Sequence, residues 1–244
     1  MQMQRGAQKR EDRMTAVKSL EKASLFAAPK KKPSYADQAY EAIKELILEE
    51  QIEAGSMLSE NGIAEFLNMS RTPIREAINR LQAEGLLESI KGVGTFLKPH
   101  RPKDIRDIYR VRIALELLAC ETAIGQATTE EIDALETKLR ALLEQDKKGE
   151  AIDRLAFSKI DGAVHNLIIA RSNNEYIQLL MNQINFNVDR YRTISFHLSM
   201  DVQESTQQHL TILECMKRRD IEGMKRELEA HLKWSLQLIM ERLE

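Results

Sequence analysis

All five prolines of this 244-residue chain lie at or before position 102. Proline has no amide proton and its ring collides with the preceding helical turn, so it breaks helices. The rest of the chain contains no such residue, and only Gly125, Gly149, Gly162 and Gly223 weaken it. Apolar residues recur there at helical spacing. The pattern predicts an all-helical antiparallel bundle of about six helices, near 103 to 126, 128 to 148, 150 to 172, 174 to 197, 200 to 219 and 220 to 243. Thr128 with Glu131 fits a capping box, and Asp220 suits an N-cap after Lys217-Arg218-Arg219, a basic run favoured at a helix C-terminus.

Pro99 to Pro102 mark a boundary, which divides the chain into a leader (1–33), a small domain (34–100) and the helical domain (101–244). In the small domain an amphipathic helix around Tyr40, Ile43, Leu46 and Ile47 precedes two short helices joined by a tight turn. Ile63, Phe66 and Leu67 recur at helical spacing on the first, and Ile74, Ile78 and Leu81 on the second, so each is expected to bury one face. The free face of the second is expected to carry Arg71, Arg75 and Arg80, cationic forks able to reach phosphates or grip a guanine edge in a major groove. Thr72 and Pro73 suit an N-cap and first helical position, with Ser70 as a rival cap. Gly85 then stops the helix, Leu86 to Ile90 reads as a strand, Lys91 to Gly94 as a tight turn and Thr95 to Leu97 as the return strand. The fold class is therefore mainly α, an N-terminal winged helix-turn-helix with a small β wing ahead of the bundle.

The net charge of −2 disguises an uneven distribution. The leader holds nine basic against three acidic side chains, and residues 34 to 100 hold six against eleven. Any nucleic-acid face in the small domain must therefore concentrate its positive charge at Arg71, Arg75, Arg80, Lys91 and Lys98. The leader reads as a solvated arm, an extension of the first helix, or a source of sequence-independent phosphate attraction. No apolar run is long enough to span a bilayer and the first thirty residues lack an apolar signal core, so a cytoplasmic location without membrane contact is expected. Cys120 and Cys215 have no metal-binding spacing and are expected to be buried free thiols.

The phrases Leu67-Asn68-Met69-Ser70-Arg71-Thr72-Pro73-Ile74-Arg75-Glu76-Ala77 and Gly92-Val93-Gly94-Thr95-Phe96 resemble the winged-helix domain of the GntR family of bacterial transcription regulators. The resemblance implies a homodimer on a palindromic double-stranded DNA operator. Arg75 and Arg71 would make base or adjoining phosphate contacts, Ser70 and Thr72 phosphate contacts, and Lys91 with Gly92 the wing contact. Two positions depart from the family pattern. Asn61 stands where a DNA-contacting arginine is usual, and Asn68 replaces the glycine of the interhelical turn, where Asn is the next best residue for a left-handed backbone. Gly62, inside the first motif helix, either permits close packing or loosens the helix start.

The helical domain holds a second constellation. Asp161 and His165 stand four apart on one predicted helix, hence on one face, while His209 and His231 are each eleven residues from Asp220 at a helix turn. Residues equidistant from such a turn reach the same height. One Asp and three His would suit zinc or nickel, or else manganese; the alternative is that all four are ordinary surface or core residues. Residues 101 to 244 are also similar to the FCD effector domain found behind GntR winged helices, in the FadR subfamily and its VanR-like branch, with Arg112 and Glu116 on the first-helix signature. That resemblance assigns Asp161, His165, His209 and His231 to the metal and implies a small carboxylate effector, with Arg112, Glu116, Arg190 and Arg192 as candidates for its site. His100 and His197 match nothing in the pattern and read as structural or exposed. Three functions follow: a ligand-responsive regulator without enzymatic activity, a metalloenzyme fused to a DNA-binding module, for which no distinct general acid or base other than Glu116 accompanies the metal set, or a DNA-binding protein whose bundle only dimerises.

Overall fold

The computed structural model describes residues 32–195 and 199–243; most of the basic leader and His197 lie outside the described residues. Helix α1 (Tyr35–Leu48) begins at a complete capping box, in which Ser34 accepts from the Asp37 amide at 3.1 Å and Asp37 accepts from the Ser34 amide at 3.0 Å. It buries Ala39, Tyr40, Ile43 and Ile47, a single helical stripe. Strand β1 (Met57–Leu58), α2 (Glu60–Phe66), α3 (Arg71–Ala83), β2 (Leu87–Ile90) and β3 (Gly94–Leu97) complete the small domain. The sheet is antiparallel in the order β1-β3-β2, with Ser89 opposite Thr95 and Met57 opposite Phe96. The expected wing is thus present with one more strand. β1 is two residues long, too short for an alternating pattern to mark it.

Asn68 takes a φ of +51°, so the left-handed turn between α2 and α3 forms as its residue type suggested. Two other expectations change, and of the two N-cap candidates the second is the one used. Phe66 is 67% exposed, not buried. At 100° per residue Ile63, Ala64 and Leu67 point the same way, and Phe66 lies roughly 110° from the middle of that face. Ser70, not Thr72, is the N-cap of α3, which puts Thr72 and Pro73 at its second and third positions, where a missing amide proton still costs no helical hydrogen bond. Arg80 does not share a face with Arg71. Nine residues bring it about half a turn round, where its guanidinium stacks 3.7 Å above the Tyr40 ring and pairs with Asp37 at 3.5 Å and Glu84 at 3.3 Å. Gly62 lies in the first turn of α2, where its amide donates to Ser59 Oγ at 3.2 Å, and a Cβ there would meet only ordinary contacts.

Six helices follow: α4 (Pro102–Gln126), α5 (Thr129–Lys147), α6 (Arg154–Ala170), α7 (Glu175–Ser195), α8 (Ser199–Lys217) and α9 (Ile221–Leu243). The Thr128–Glu131 capping box forms, and Asp220 Oδ1 accepts from the Gly223 amide at 2.9 Å to start α9. Arg219, in the left-handed region at the α8–α9 turn, donates to the carbonyls of Ile124 and Ala127 and so ties that turn to the end of α4. The bundle core includes Ile132, Leu139, Val164, Ile168, Ile212 and Leu228, and burying each such side chain contributes about 1.5–3 kcal/mol. Cys120 and Cys215 lie within it as free thiols, and burial pushes the Cys120 thiol up to about 12, which leaves it unreactive.

Helix α7 also joins the two domains. Phe186 packs into the small-domain core with Lys44 Nζ 4.9 Å above its ring, and Arg190 Nη2 donates to the Lys98 carbonyl at 3.1 Å and lies 3.3 Å from His100 Nε2. From α6, Arg154 donates to the Leu48 carbonyl at 3.0 Å and pairs with Glu50 at 2.9 Å. Among the described residues no helix is long and apolar enough to cross a membrane.

Candidate functional site

The N-terminal end of α3 projects from the small domain with Ser70, Arg71, Thr72 and Arg75 all exposed, and the β2–β3 turn exposes Lys91 and Gly92, the latter at φ +77°. The two arginines are one turn apart and share an intramolecular partner. Glu60 Oε2 lies 3.3 Å from Arg75 Nη2 and 3.7 Å from Arg71 Nη2. Both side chains remain more than half exposed, so these pairs hold the forks in place at little net energy. Sequence reasoning did not single out Glu60, whose position relative to α3 is set by the packing of α2 across it.

In the helical domain α6, α8 and α9 bring His165, His209 and His231 together, with one nitrogen of each within 4.8 Å of the others. All three are buried, at 3%, 0% and 3% exposure. Their outer nitrogens are occupied. His165 Nδ1 lies 2.6 Å from Glu116 Oε2, His231 Nδ1 lies 2.7 Å from Gln208 Oε1, and His209 Nδ1 faces Asp161 Oδ1 at 3.4 Å. The Glu116 and Gln208 oxygens are acceptors, so His165 and His231 carry a proton on Nδ1, the orientation that second partners impose on metal-binding histidines, while His209 Nδ1 has the Ser205 hydroxyl at 3.5 Å beside it as well as the Asp161 carboxylate. The Nε2 atoms of His165 and His209 are 3.1 Å apart. At that distance either one imidazole N–H donates to the other ring's lone pair or a cation joins the two, and ligands at zinc–nitrogen distances lie about 2.9–3.4 Å apart at 90–109°. Burial is the first cause that lowers all three imidazoles below their ordinary value; Arg112 adds to it at His165, Arg192 at His209 and the neighbouring imidazoles at His231. They are therefore neutral at pH 7, the form that binds a metal.

Asp161 reaches the same place but does not converge with the three nitrogens. Its Oδ2 pairs with Arg192 Nε at 2.7 Å and its Oδ1 accepts from Ser205 Oγ at 2.5 Å. Burial opposes its charge, but His209 and Arg192 outweigh it and hold the carboxyl below its ordinary range. Arg112 and Glu116, both buried on α4, meet at 2.6 Å between Nε and Oε1, so Glu116 bridges Arg112 and His165. Arg112 Nη2 is buried with no partner among the described residues. Arg112, Asp161, Arg192, His231 and Trp234 line a cavity of about 20 Å³, room for about one water. Arg190 is not part of this group, because it faces Lys98 and His100 at the domain junction. Gln208 and Ser205 carried no chemical signal in the sequence beyond their places one and four residues before His209.

The sequence matches the gntR family of bacterial regulatory proteins over residues 35–97 and the FCD domain over residues 107–233. The Nta operon transcriptional regulator of Aminobacter aminovorans is 31% identical over 187 residues, covering 77% of this chain and 86% of that protein. The HTH-type transcriptional regulator YdhC of Bacillus subtilis (strain 168) is 28% identical over 206 residues, covering 84% and 91%. The structure of E. coli McbR/YncC shares the fold with a TM-score of 0.75 at 21% identity, covering 86% of this chain and 99% of that one. With the arginine-edged winged helix in front and the FCD bundle behind it, the chain belongs to the GntR family of bacterial regulatory proteins and is a DNA-binding transcriptional regulator.

Proposed function

We propose that this regulator binds an inverted-repeat operator as a homodimer, and that a small carboxylate metabolite held at a metal-assisted site in the FCD domain changes that binding. The observation that carries this reading is the convergence of three neutral imidazole nitrogens beside a buried guanidinium nitrogen that has no partner among the described residues. Asp161, His165, His209 and His231 would hold the ion, with zinc or nickel the best match and manganese acceptable. When bound, the ion supplies a Lewis-acidic position for a carboxylate oxygen. Arg112 presents Nη2 to the anion, and Glu116 keeps both Arg112 and His165 in register. That double commitment of Glu116 favours regulation over the metalloenzyme reading, in which it would have to exchange protons with a substrate.

At the DNA, Arg75 and Arg71 would read base edges or adjoining phosphates, Ser70 and Thr72 would grip phosphates, and Lys91 with Gly92 would carry the wing. One winged helix spans few base pairs, and two-fold pairing doubles the contact. Exposed apolar residues on adjacent helices, Val111 and Leu118 on α4 and Leu179 and Leu180 on α7, support pairing through the helical domain. Helix α7 offers a route between the sites, with Arg192 on Asp161 and Arg190 on the linker carbonyl of Lys98. The test is fluorescence anisotropy of the full chain on its own promoter DNA, titrated with zinc and a panel of small carboxylates. A carboxylate that shifts the operator affinity only when metal is present supports the reading; metal and carboxylates without effect on DNA affinity would overturn it.

A further inference from the structure

The pair formed by Arg192 and Asp161 is built into the fold in a way that bears on metal binding. Both side chains are buried, at 9% and 7% exposure, with Arg192 Nε 2.7 Å from Asp161 Oδ2. Arg192 reaches Asp161 by passing over α6 at Gly162, where an added Cβ would lie 2.8 Å from Nη1 and 3.3 Å from Cζ. The guanidinium thus lies against bare backbone, and only glycine leaves it that space. The second Arg192 nitrogen, Nη1, is held by Asp189 at 2.6 Å. The Asp161 carboxylate that Arg192 neutralises stands 3.4 Å from His209 Nδ1, on the rim of the imidazole cluster.

Resting on the metal-site reading above, we propose that Arg192 is a built-in counter-cation for Asp161 which a divalent ion must displace, so that an arginine outside the ligand set determines the chain's metal affinity. A buried carboxylate needs a positive partner. Arg192 supplies it at Oδ2 when no ion is bound, and a divalent ion placed at the other oxygen of the same carboxylate meets strong repulsion from the guanidinium in so dry a place. Loss of Arg192 removes a competitor and leaves a buried charge that the ion then satisfies. Asp189 keeps a hold on the displaced guanidinium, so the exchange moves a side chain of α7 without unfolding the helix.

The experiment uses the full chain, with zinc as the probe, in competition with a chromophoric chelator. Thermal melts followed by circular dichroism are recorded with EDTA and with saturating zinc. Arg192→Gln is expected to bind zinc at least tenfold more tightly than the parent, to melt lower than the parent in EDTA, and to recover most of that loss with zinc. Gly162→Ala, whose methyl group pushes the guanidinium away while suiting a helix, is expected to tighten zinc binding in the same direction with no loss of helix content. If Arg192→Gln does not fold, Gly162→Ala decides alone. Unchanged or weaker zinc binding in a folded variant, with the parent binding zinc and His209→Ala abolishing it, overturns the counter-cation role but leaves the site intact. A parent that takes up no zinc, or a His209→Ala variant that matches it, overturns the site reading and the proposal together.

Discussion

His165 and His209 present their Nε2 atoms to each other at 3.1 Å, while Glu116 holds the opposite nitrogen of His165 at 2.6 Å. That spacing suits two nitrogen ligands on one cation. Protein purified without chelators should carry about one divalent ion per chain, and a His209→Ala, His231→Ala double variant should carry almost none by elemental analysis. Full metal content in that variant would remove these side chains from the site. Occupancy should also decline in acid, because protons compete for the same lone pairs.

Glu116 orients His165 and neutralises Arg112, so its replacement should be felt at the metal. Glu116→Gln is expected to lower metal affinity about 10–100-fold while leaving the DNA affinity of the metal-free protein near that of the parent. An unchanged metal affinity would mean that His165 is held by packing alone. Arg112→Ala should cost about 3–5 kcal/mol of stability, because it strands a carboxylate with 0% exposure, and it should abolish the carboxylate response. Chemical denaturation and the anisotropy titration read the two effects separately.

At the DNA face, Arg75→Ala should weaken operator binding by roughly 1–3 kcal/mol. Glu60→Gln should act in the opposite direction, since Glu60 is the internal partner of both Arg71 and Arg75 and sets a negative charge beside the phosphates. The expected outcome is tighter binding to operator and to unrelated duplex alike, measured across a salt series. A Glu60→Gln variant that binds DNA less well would show that the carboxylate positions the arginines more than it competes for them.

Burial and then Arg190 push His100 down to about 4 from 6.5. Its folded value lies below its unfolded one, so the unfolded chain takes up the proton first. This contribution to stability is complete above about pH 6.5 and is lost as the pH falls towards 4. Urea midpoints for His100→Gln should therefore decline less steeply than those of the parent over that interval, by the equivalent of one proton. Equal slopes would remove His100 from the acid sensitivity of this interval and leave it to the buried histidine cluster and the paired carboxylates.

Operator affinity and effector affinity must be coupled by the same factor in both directions if the two sites share one equilibrium. Calorimetry of the effective carboxylate with and without operator duplex measures this. An unchanged ligand affinity, for a carboxylate that alters DNA binding, would exclude an equilibrium mechanism.

The features legible in the residues alone are local. The order of helices, the left-handed Asn68, the capping box at Thr128 and the turn at Asp220 all follow from interactions within a few residues of each other, where backbone geometry leaves few choices. The meeting of His209 and His231 was legible for the same reason, since two antiparallel helices joined by one turn have a fixed register. The family resemblance added which helix would bring His165 to them. The tertiary structure alone decided the rest. Arg190 and Arg192 are two residues apart, yet one caps the domain linker and the other neutralises Asp161, because successive positions on a helix point about 100° apart and face different neighbours. Phe66 was turned outward, Arg80 was drawn onto Tyr40, and Glu116 was placed between Arg112 and His165 by packing between segments up to 49 residues apart. Spacing along one strand of sequence constrains contacts within an element or across one turn; which faces meet across the bundle is set by how all the helices share a common core.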